Sequence, residues 1–492
     1  MPKLLDLFFE MAASHADKMA IHTDHGTITY GDLAAEVVTV SRVMTEAGLS
    51  ECQTIALQGM NVTGFVVAYL AAANARLCVV PIDSRLSTEE VEVIARDSRP
   101  AAYVLFSPKG SLPAFVEHRF GGGVSSVLVG RNAQFKLVVP PPMGAPPAVF
   151  PGDLVIQYSS GSTGEPKGIV LSRDNIYHKV TNWDTTLEIS DLDVFLCTLT
   201  LSHCYGMYVH MLAALLTGAT VYLPDLHTVT PRRIAQMIDA YDVTVFGSLP
   251  YMYQLLLRLP IGSLKLDRVR YLISGSAPLP DLTAHRFCEV FGRNINQVYG
   301  LTEIGLICFN KNPHAPTSIG SLTHRMEARI LDDLGRECAH GEPGELAVRC
   351  DSLARGYLNN PEDQQMMFKD GWLYTKDIVS RDNCGQYYIC GRVSQFINVG
   401  GNKVSPIEIE NVLLEHPAVM DASVVGRRGD GTEEVVAFVV LRDDHPQPNS
   451  DDLFRFCTQR MSAYKLPKDI KFLPELPRSP LGKVLKAKLC AL

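Results

Sequence analysis

Residues 158–168 read YSSGSTGEPKG. Glycine lets backbone N–H groups turn toward an anion, and Ser159, Ser160, Ser162 and Thr163 add hydroxyl donors around Gly161 and Gly164. Lys167 closes the run with a positive charge. This is the chemistry of holding phosphate. A Walker loop places its lysine directly after the second glycine, with Ser or Thr next. Here Glu165 and Pro166 intervene and Gly168 follows the lysine, which disfavours a P-loop hydrolase. Taken alone, the run also fits a Ser/Gly surface turn.

Such a loop needs layers behind it. DLVIQYSS leads in as a strand, after the stiff Pro-rich connection VPPPMGAPPAVFPG at residues 139–152. Upstream, strand-like TIALQG, LCVVPID and AAYVLFS alternate with a helix through Leu70 and another over residues 87–97. Downstream, FLCTLTLSH, ATVYLPD, VTVFGSLP, VRYLISGS and INQVYG continue the pattern. Alternation of this kind predicts layered, largely parallel α/β structure. Beyond residue 320, EARILDDLG, GELAVRC and QYYICG read as antiparallel strands with tight turns. Past residues 391–394 the chain reads as a small α+β unit, with helices in EIENVLLEHP and SDDLFRFCTQRM and strands in DASVVGRR, EVVAFVVL and DIKFLPELP. The expected fold class is α/β: a large N-terminal domain of layered α/β subdomains plus a β-rich subdomain, then a small α+β C-terminal domain. The bounds are 1–391, a hinge at 392–394, and 395–492.

A chain of 492 residues exceeds one ordinary core. Its net charge of -8 gives no reason to expect nucleic acid. Twelve cysteines show no C-x-x-C and no zinc spacing, which fits reduced thiols in cytoplasm. Cys78, Cys197 and Cys308 lie in apolar strand-like runs and read as core residues. At the N-terminus, Asp6, Glu10, His15 and Asp17 break the apolar pattern, predicting an amphipathic helix rather than a signal peptide. The apolar stretch 62–82 is interrupted by Asn74, Arg76 and Pro81, so it reads as a buried helix and a strand, not a membrane span. The sequon Asn61-Val62-Thr63 is discounted for want of a secretory signal.

Further motifs follow the loop in order: Ile273-Ser274-Gly275-Ser276-Ala277-Pro278, Tyr299-Gly300-Leu301-Thr302-Glu303, Gly341-Glu342-Pro343-Gly344-Glu345-Leu346, Tyr374-Thr375-Lys376-Asp377, Gly391-Arg392 with VGGNKVSPIEIE, and PRSPLGKVLK. In this order and spacing, over nearly the whole chain, the sequence resembles the acyl-adenylate-forming superfamily: acyl- and aryl-CoA synthetases, peptide-synthetase adenylation domains and firefly luciferase. A single match would be weak; the ordered set is strong.

The resemblance implies two half-reactions. A carboxylate attacks the α-phosphorus of ATP to give acyl-AMP and pyrophosphate, and a thiol then takes the acyl group and releases AMP. Both centres are crowded with negative charge, so positioning and positive electrostatics dominate. The implied requirements are ATP, Mg²⁺, a carboxylic acid, and CoA or a phosphopantetheine arm. The loop from Ser159 to Gly164 would hold the β- and γ-phosphates, with Lys167 adding charge. Thr302 would bond the α-phosphate and Glu303 would hold Mg²⁺. Gly275, Ser276, Ala277, Tyr299 and Gly300 would bracket the adenine. Asp377 would accept the ribose hydroxyls, and Arg392 would reach ribose or phosphate. Lys483 would stand between carboxylate and α-phosphate, with Lys486 and Lys488 as ordinary solvated lysines. The C-terminal domain would be mobile and rotate between half-reactions, bringing the strand Val399-Gly400-Gly401 to a thiol tunnel.

Two positions depart from the pattern. Ser394 stands where the hinge usually has Asp or Lys, and Lys376 replaces the glycine beside Asp377, either balancing ATP charge or pointing to solvent. In the acid pocket, Cys204 falls where peptide-synthetase domains keep the Asp that pairs with an α-ammonium. An unpaired buried ammonium is costly, so an α-amino acid is disfavoured. His203 falls at the gate. Tyr205, Gly206, Phe246, Gly247, Ser274, Val298, Leu306 and Ile307 are the expected walls, mostly apolar and without Arg or Lys, which suits a monocarboxylic acyl or aryl acid. The acceptor is either CoA or a stand-alone carrier protein. A non-thiol acceptor, as in amide formation or luciferase-type oxygenation, is the alternative, and a non-catalytic scaffold is disfavoured by the intact Thr302, Glu303, Asp377, Arg392 and Lys483.

Overall fold

The computed structural model describes residues 4–59, 61–106, 125–129, 135–140, 147–160, 166–428, 432–443, 445–478 and 484–492. The alternating strands condense into two large sheets. Among the described residues, one has nine strands in the order Ser321–Leu322, Gly305–Phe309, Asn296–Leu301, Tyr271–Ser274, Val245–Ser248, Val194–Cys197, Thr220–Leu223, Met19–Thr23 and Gly26–Thr29. Its centre is parallel and its margins are antiparallel. The other has eight, running Gly356–Tyr357, Pro166–Ser172, Asp153–Ser160, Cys78–Asp83, Thr54–Gly59, Ala102–Leu105, Phe135–Val139 and Ser125–Val129.

Helices Leu4–Ser14, Tyr30–Glu46, Thr63–Asn74 and Arg173–Leu187 share one apolar core with both sheets. Thr63–Asn74 is buried continuously from Gly64 to Ala73. A helix with apolar surface on both sides has no solvent face to keep polar, which is why its sequence lacks amphipathic alternation. Helix Arg173–Leu187 starts at a reciprocal capping box between Ser172 and Asn175.

A third, five-stranded antiparallel sheet follows: Glu327–Leu331, Gly344–Arg349, Trp372–Arg381 and Phe368–Lys369, with Tyr387–Arg392 also pairing Trp372–Arg381. The small C-terminal domain has its own core over strands Val419–Arg428, Glu433–Leu441 and Asp469–Phe472 and helices Pro406–Leu414 and Ser450–Thr458. Among the described residues its links to the rest include the Arg258–Met420 contact and the Lys403–Asp333 ion pair. Asn411 Nδ2 donates to Asp281 Oδ2 at 3.4 Å, and the Arg478 guanidinium lies 5.2 Å over the Tyr251 ring.

Three sequence expectations change. The strand predicted through FLCTLTLSH stops at Cys197. There the buried Asn61 captures the loop, donating to the Leu199 carbonyl at 2.6 Å and accepting from the Leu201 N–H at 2.8 Å. The sequon asparagine is therefore a loop clamp. Next, Gly400 and Gly401 are the turn of a hairpin between Ile397–Val399 and Asn402–Val404, not strand, with φ of 57° and 88°. Two consecutive left-handed positions suit glycine in a two-residue hairpin turn. Finally, Lys486 is not solvated. Its Nζ donates to Glu410 Oε1 at 2.8 Å and to the Val424 carbonyl at 3.0 Å, tying the last helix, Lys486–Cys490, to the C-terminal sheet.

All twelve cysteines are free, and Cys78, Cys197 and Cys308 are buried in strands. Among the described residues no helix is long and apolar enough to cross a membrane.

Candidate active site

The site is built where the two large sheets meet the antiparallel one. Strand Asn296–Leu301 delivers Tyr299, and the chain reverses into Gly305–Phe309 with Thr302 and Glu303 in the turn. That turn is held on several sides. The Ala354 N–H donates to the Glu303 carbonyl at 2.6 Å, and Ser352 Oγ to the Ile304 carbonyl at 2.6 Å. The Tyr357 hydroxyl, on the edge strand of the eight-stranded sheet, donates to Glu303 Oε1 at 2.7 Å. Burial, with Glu303 beside it, pushes the Tyr357 phenol up, so it stays a donor. From a third side Lys179 Nζ donates to the Thr302 carbonyl at 3.3 Å.

Asp377 comes from the antiparallel sheet. The Tyr299 hydroxyl donates to its Oδ2 at 2.7 Å, and Arg392 Nε lies 3.7 Å from its Oδ1. Burial, with Asp377 adjacent, raises the Tyr299 phenol far above its usual range. Lys376 beside it is left-handed, φ 61°, the conformation a glycine adopts without cost. Its N–H donates to Glu345 Oε1 at 3.2 Å and its Nζ lies 3.4 Å from the same oxygen. The lysine's charge is therefore paired with Glu345. Ser276 is also left-handed, φ 69°, at the end of strand Tyr271–Ser274.

The phosphate-holding run spans a hairpin: Ser159 pairs with Lys167 and Ser160 with Pro166. Gly161, Ser162, Thr163, Gly164 and the side chain of Ser160 lie outside the described residues, as does Lys483. Lys167 Nζ lies 2.5 Å from Asp363 Oδ2, so its charge is already partnered. Arg478 and Val484, which bracket Lys483, pair as a β-bridge, and Arg478 rests on Tyr251 in helix Pro250–Leu256.

His203 and Cys204 precede a π-helical segment, Tyr205–Leu212. The Tyr205 N–H donates to His203 Nδ1 at 3.3 Å. Cys204 Sγ lies 3.7 Å from Thr302 Oγ1 and 3.8 Å from His203 Nδ1. Burial alone would raise this thiol, but His203, Thr302 and Lys179 outweigh it and bring it to about 7. A cleft of 170 Å³ opens beside it, lined by Arg85, Thr200, His203, Tyr205, Met252 and Ser276 among others. Arg85 is fixed at its mouth by a two-pronged contact, Nε and Nη2 to Asp83 at 2.9 and 2.7 Å.

The expected acid pocket divides by strand alternation. Val298 and Leu306 pack toward the core that includes Tyr205. Phe246 instead faces the opposite layer, with Tyr253 and Leu256, and Ile307 faces the core of the antiparallel sheet. Successive strand residues point to opposite faces, so neighbours in sequence cannot both line one pocket. Gly206 is packed on the Thr200 carbonyl, 2.3 Å from where a Cβ would stand. At Gly247 the missing side chain is replaced by the His210 ring, whose Nε2 would sit 2.0 Å from a Cβ there. His210 is fully buried, with Nδ1 3.1 Å from the Tyr205 carbonyl and no partner for Nε2 among the described residues; burial lowers it to about 4. Ser274 Oγ is likewise buried and unpartnered.

The C-terminal residues stand apart. Gly400 and Gly401 are exposed at their hairpin tip. Ser394 is in the short helical turn Val393–Gln395 directly after Arg392. Sequence reasoning misses Lys179, His210, Tyr357 and Arg85. Lys179 carried a usable signal. It sits between Ile176 and Trp183 on the buried stripe of its helix, where a lysine is out of place.

One carboxylate, Glu303, with Oε1 engaged by Tyr357, suits Mg²⁺, which binds few protein oxygens and takes the rest from phosphate and water. Among the described residues no cluster of three or more metal-ligating side chains exists.

Residues 8–358 match the family model of AMP-binding enzymes, and residues 408–483 match that of the AMP-binding enzyme C-terminal domain. The chain is 28% identical to a probable CoA ligase, CCL9, of Humulus lupulus, over 98% of this chain and 94% of that one. It is 30% identical to 4-coumarate–CoA ligase 5 of Oryza sativa subsp. japonica, over 99% and 94%. Among solved structures, o-succinylbenzoate coenzyme A synthetase (MenE) from Bacillus subtilis, in complex with ATP and magnesium ion, superposes with a TM-score of 0.84 at 25% identity, covering 98% of each chain.

Proposed function

Because this chain belongs to the AMP-binding enzyme family and is an ATP-dependent, AMP-forming acid–CoA ligase, we propose that its Tyr299–Glu303 turn, Asp377 and Arg392 hold ATP while Lys483 drives attack of a carboxylate on the α-phosphorus. The observation that carries this assignment is convergence. Tyr299 hydrogen-bonds Asp377, and Cys204 next to His203 touches Thr302, so motif residues far apart in sequence enclose one space.

In this reading Thr302 Oγ1 donates to the α-phosphate and Asp377 accepts from ribose. Gly275, Ser276, Ala277 and Gly300 flank the adenine, and Ser159–Gly164 cradles the departing phosphates. Glu303 holds Mg²⁺, which offsets the charge of the phosphates. Lys483 lies between two anions as they meet and offsets their repulsion. His203 gates the acid against the cleft beside Ser276. Residues 1–391 form the adenylating body and 395–492 the lid, with 392–394 as hinge. Rotation about that hinge exchanges Lys483 for the Gly400–Gly401 turn. Free thiols at all twelve cysteines favour a reducing compartment such as cytoplasm.

The test is pyrophosphate release across a panel of carboxylic acids, followed by CoA or a phosphopantetheinylated carrier protein added to the best acid. Thioester formation with CoA supports the assignment. ATP binding without pyrophosphate release from any acid would sink it.

A further inference from the structure

Lys179 is 6% exposed, on helix Arg173–Leu187. Among the described residues its ammonium makes one hydrogen bond, to the Thr302 carbonyl, and no carboxylate comes within ion-pair distance. Gly305 makes room for it: a Cβ there would stand 3.0 Å from Lys179 Cγ. The lysine therefore runs along the Thr302–Glu303 turn and ends beside the residue that Cys204 touches from the other side.

Holding a carbonyl does not require a charge. The same helix does so with a neutral side chain, Asn175 Nδ2 donating to the Leu353 carbonyl at 2.8 Å. A buried ammonium without a counterion is costly, and burial drags this one down to about 7 despite the attraction of Cys204 and Glu303. Glu303 is already engaged by Tyr357 and is the residue that would hold the metal. Among the described residues the Lys179 ammonium has no carboxylate partner, and it stands next to Thr302, which Cys204 of the expected acid pocket also touches.

We infer that Lys179 anchors a second anionic group of the substrate, so that the acid is of the class bearing a further carboxylate or a sulfonate. This rests on the ligase assignment and revises the expectation of a monocarboxylic acid drawn from an uncharged wall list. The second anion restores the missing counterion, while a monoacid leaves the ammonium unpaired.

Matched pairs test it: pyrophosphate release with acetate against malonate, butyrate against succinate, and benzoate against isophthalate. The diacid of at least one pair is expected to lead by about a hundredfold in kcat/KM, the scale of a buried charge pair. Lys179→Gln keeps a donor for the Thr302 carbonyl and removes the charge. It is expected to collapse that ratio toward unity, while Lys179→Arg retains most of it. Equal use of both acids by the unmodified enzyme overturns the inference and leaves the ligase assignment standing, even if the glutamine variant does not fold. A glutamine variant that loses both acids equally also overturns it, making Lys179 a positioning residue for Thr302. Release with no acid at all removes the ligase assignment and the inference together.

Discussion

The Thr302–Glu303 turn and the Gly400–Gly401 turn each join two antiparallel strands and each carry motif residues, but their surroundings differ. The first is pinned by Tyr357, Ala354 and Lys179, side chains and backbone from two other segments. The second is held within its own domain, the Gly400 N–H donating to Thr432 Oγ1 at 2.8 Å and the Gly401 N–H to Asn398 Oδ1 at 3.0 Å. Its nearest tie elsewhere is Lys403 to Asp333 at 3.3 Å, between exposed side chains, which contributes little. Groups that must keep a fixed distance from phosphorus are embedded. In the proposed mechanism, groups that arrive and withdraw are carried at the surface on a separately cored unit.

The contrast can be broken in five places. Replacing Lys483 with Ala should have the largest effect. Pyrophosphate release should fall at least about a thousandfold, with thioester formation from supplied acyl-AMP largely kept. Equal loss in both assays would mean that the C-terminal domain acts as one piece in both steps. Glu303→Gln should cost about a hundredfold in adenylation and raise the Mg²⁺ requirement, and Tyr357→Phe about tenfold in the same direction. A Tyr357→Phe enzyme with an unchanged Mg²⁺ titration would show that the clamp on Glu303 is idle.

The embedded side also has a pH signature. Burial keeps His210 neutral down to about 4, whereas an unfolded histidine takes its proton near 6.5. Below that pH the unfolded chain binds more protons, so stability is intact above about 6.5 and is lost as pH falls toward 4. By pH 5 the loss is about 2 kcal/mol, readable as a urea midpoint shift between pH 7.5 and pH 5 that His210→Gln flattens. The smallest effect belongs to the exposed turn. Gly400→Val should slow acyl transfer to CoA about tenfold through its left-handed backbone and leave pyrophosphate release alone. A drop in release instead would place that hairpin in the first half-reaction.

The central strands of both large sheets were legible because each is a short apolar run between turn residues, whereas strands toward the margins such as Met19–Thr23 and Phe135–Val139 were not read. Tyr299, Thr302, Glu303, Asp377 and Arg392 were legible as motifs, since their chemistry tolerates few substitutes. Side-chain direction was not. Phe246 and Gly247 are adjacent, yet one joins a distant core and the other receives His210. His210 was hidden inside the apolar run around YGMYVHML, where a π-helical turn changes which positions face inward. The solvated reading of Lys486 failed because its partner, Glu410, is distant in sequence and no spacing rule links them.

Helix Thr63–Asn74 has consequences for how the protein melts. It and its neighbours are the shared wall between the two large sheets, each of which packs a further core on its other face. The body should therefore lose structure in one cooperative step, because opening either sheet exposes the same apolar layer to water. The C-terminal core contains none of that layer and should have a transition of its own. A calorimetric scan is expected to resolve two endotherms, and ATP should move the one belonging to the body.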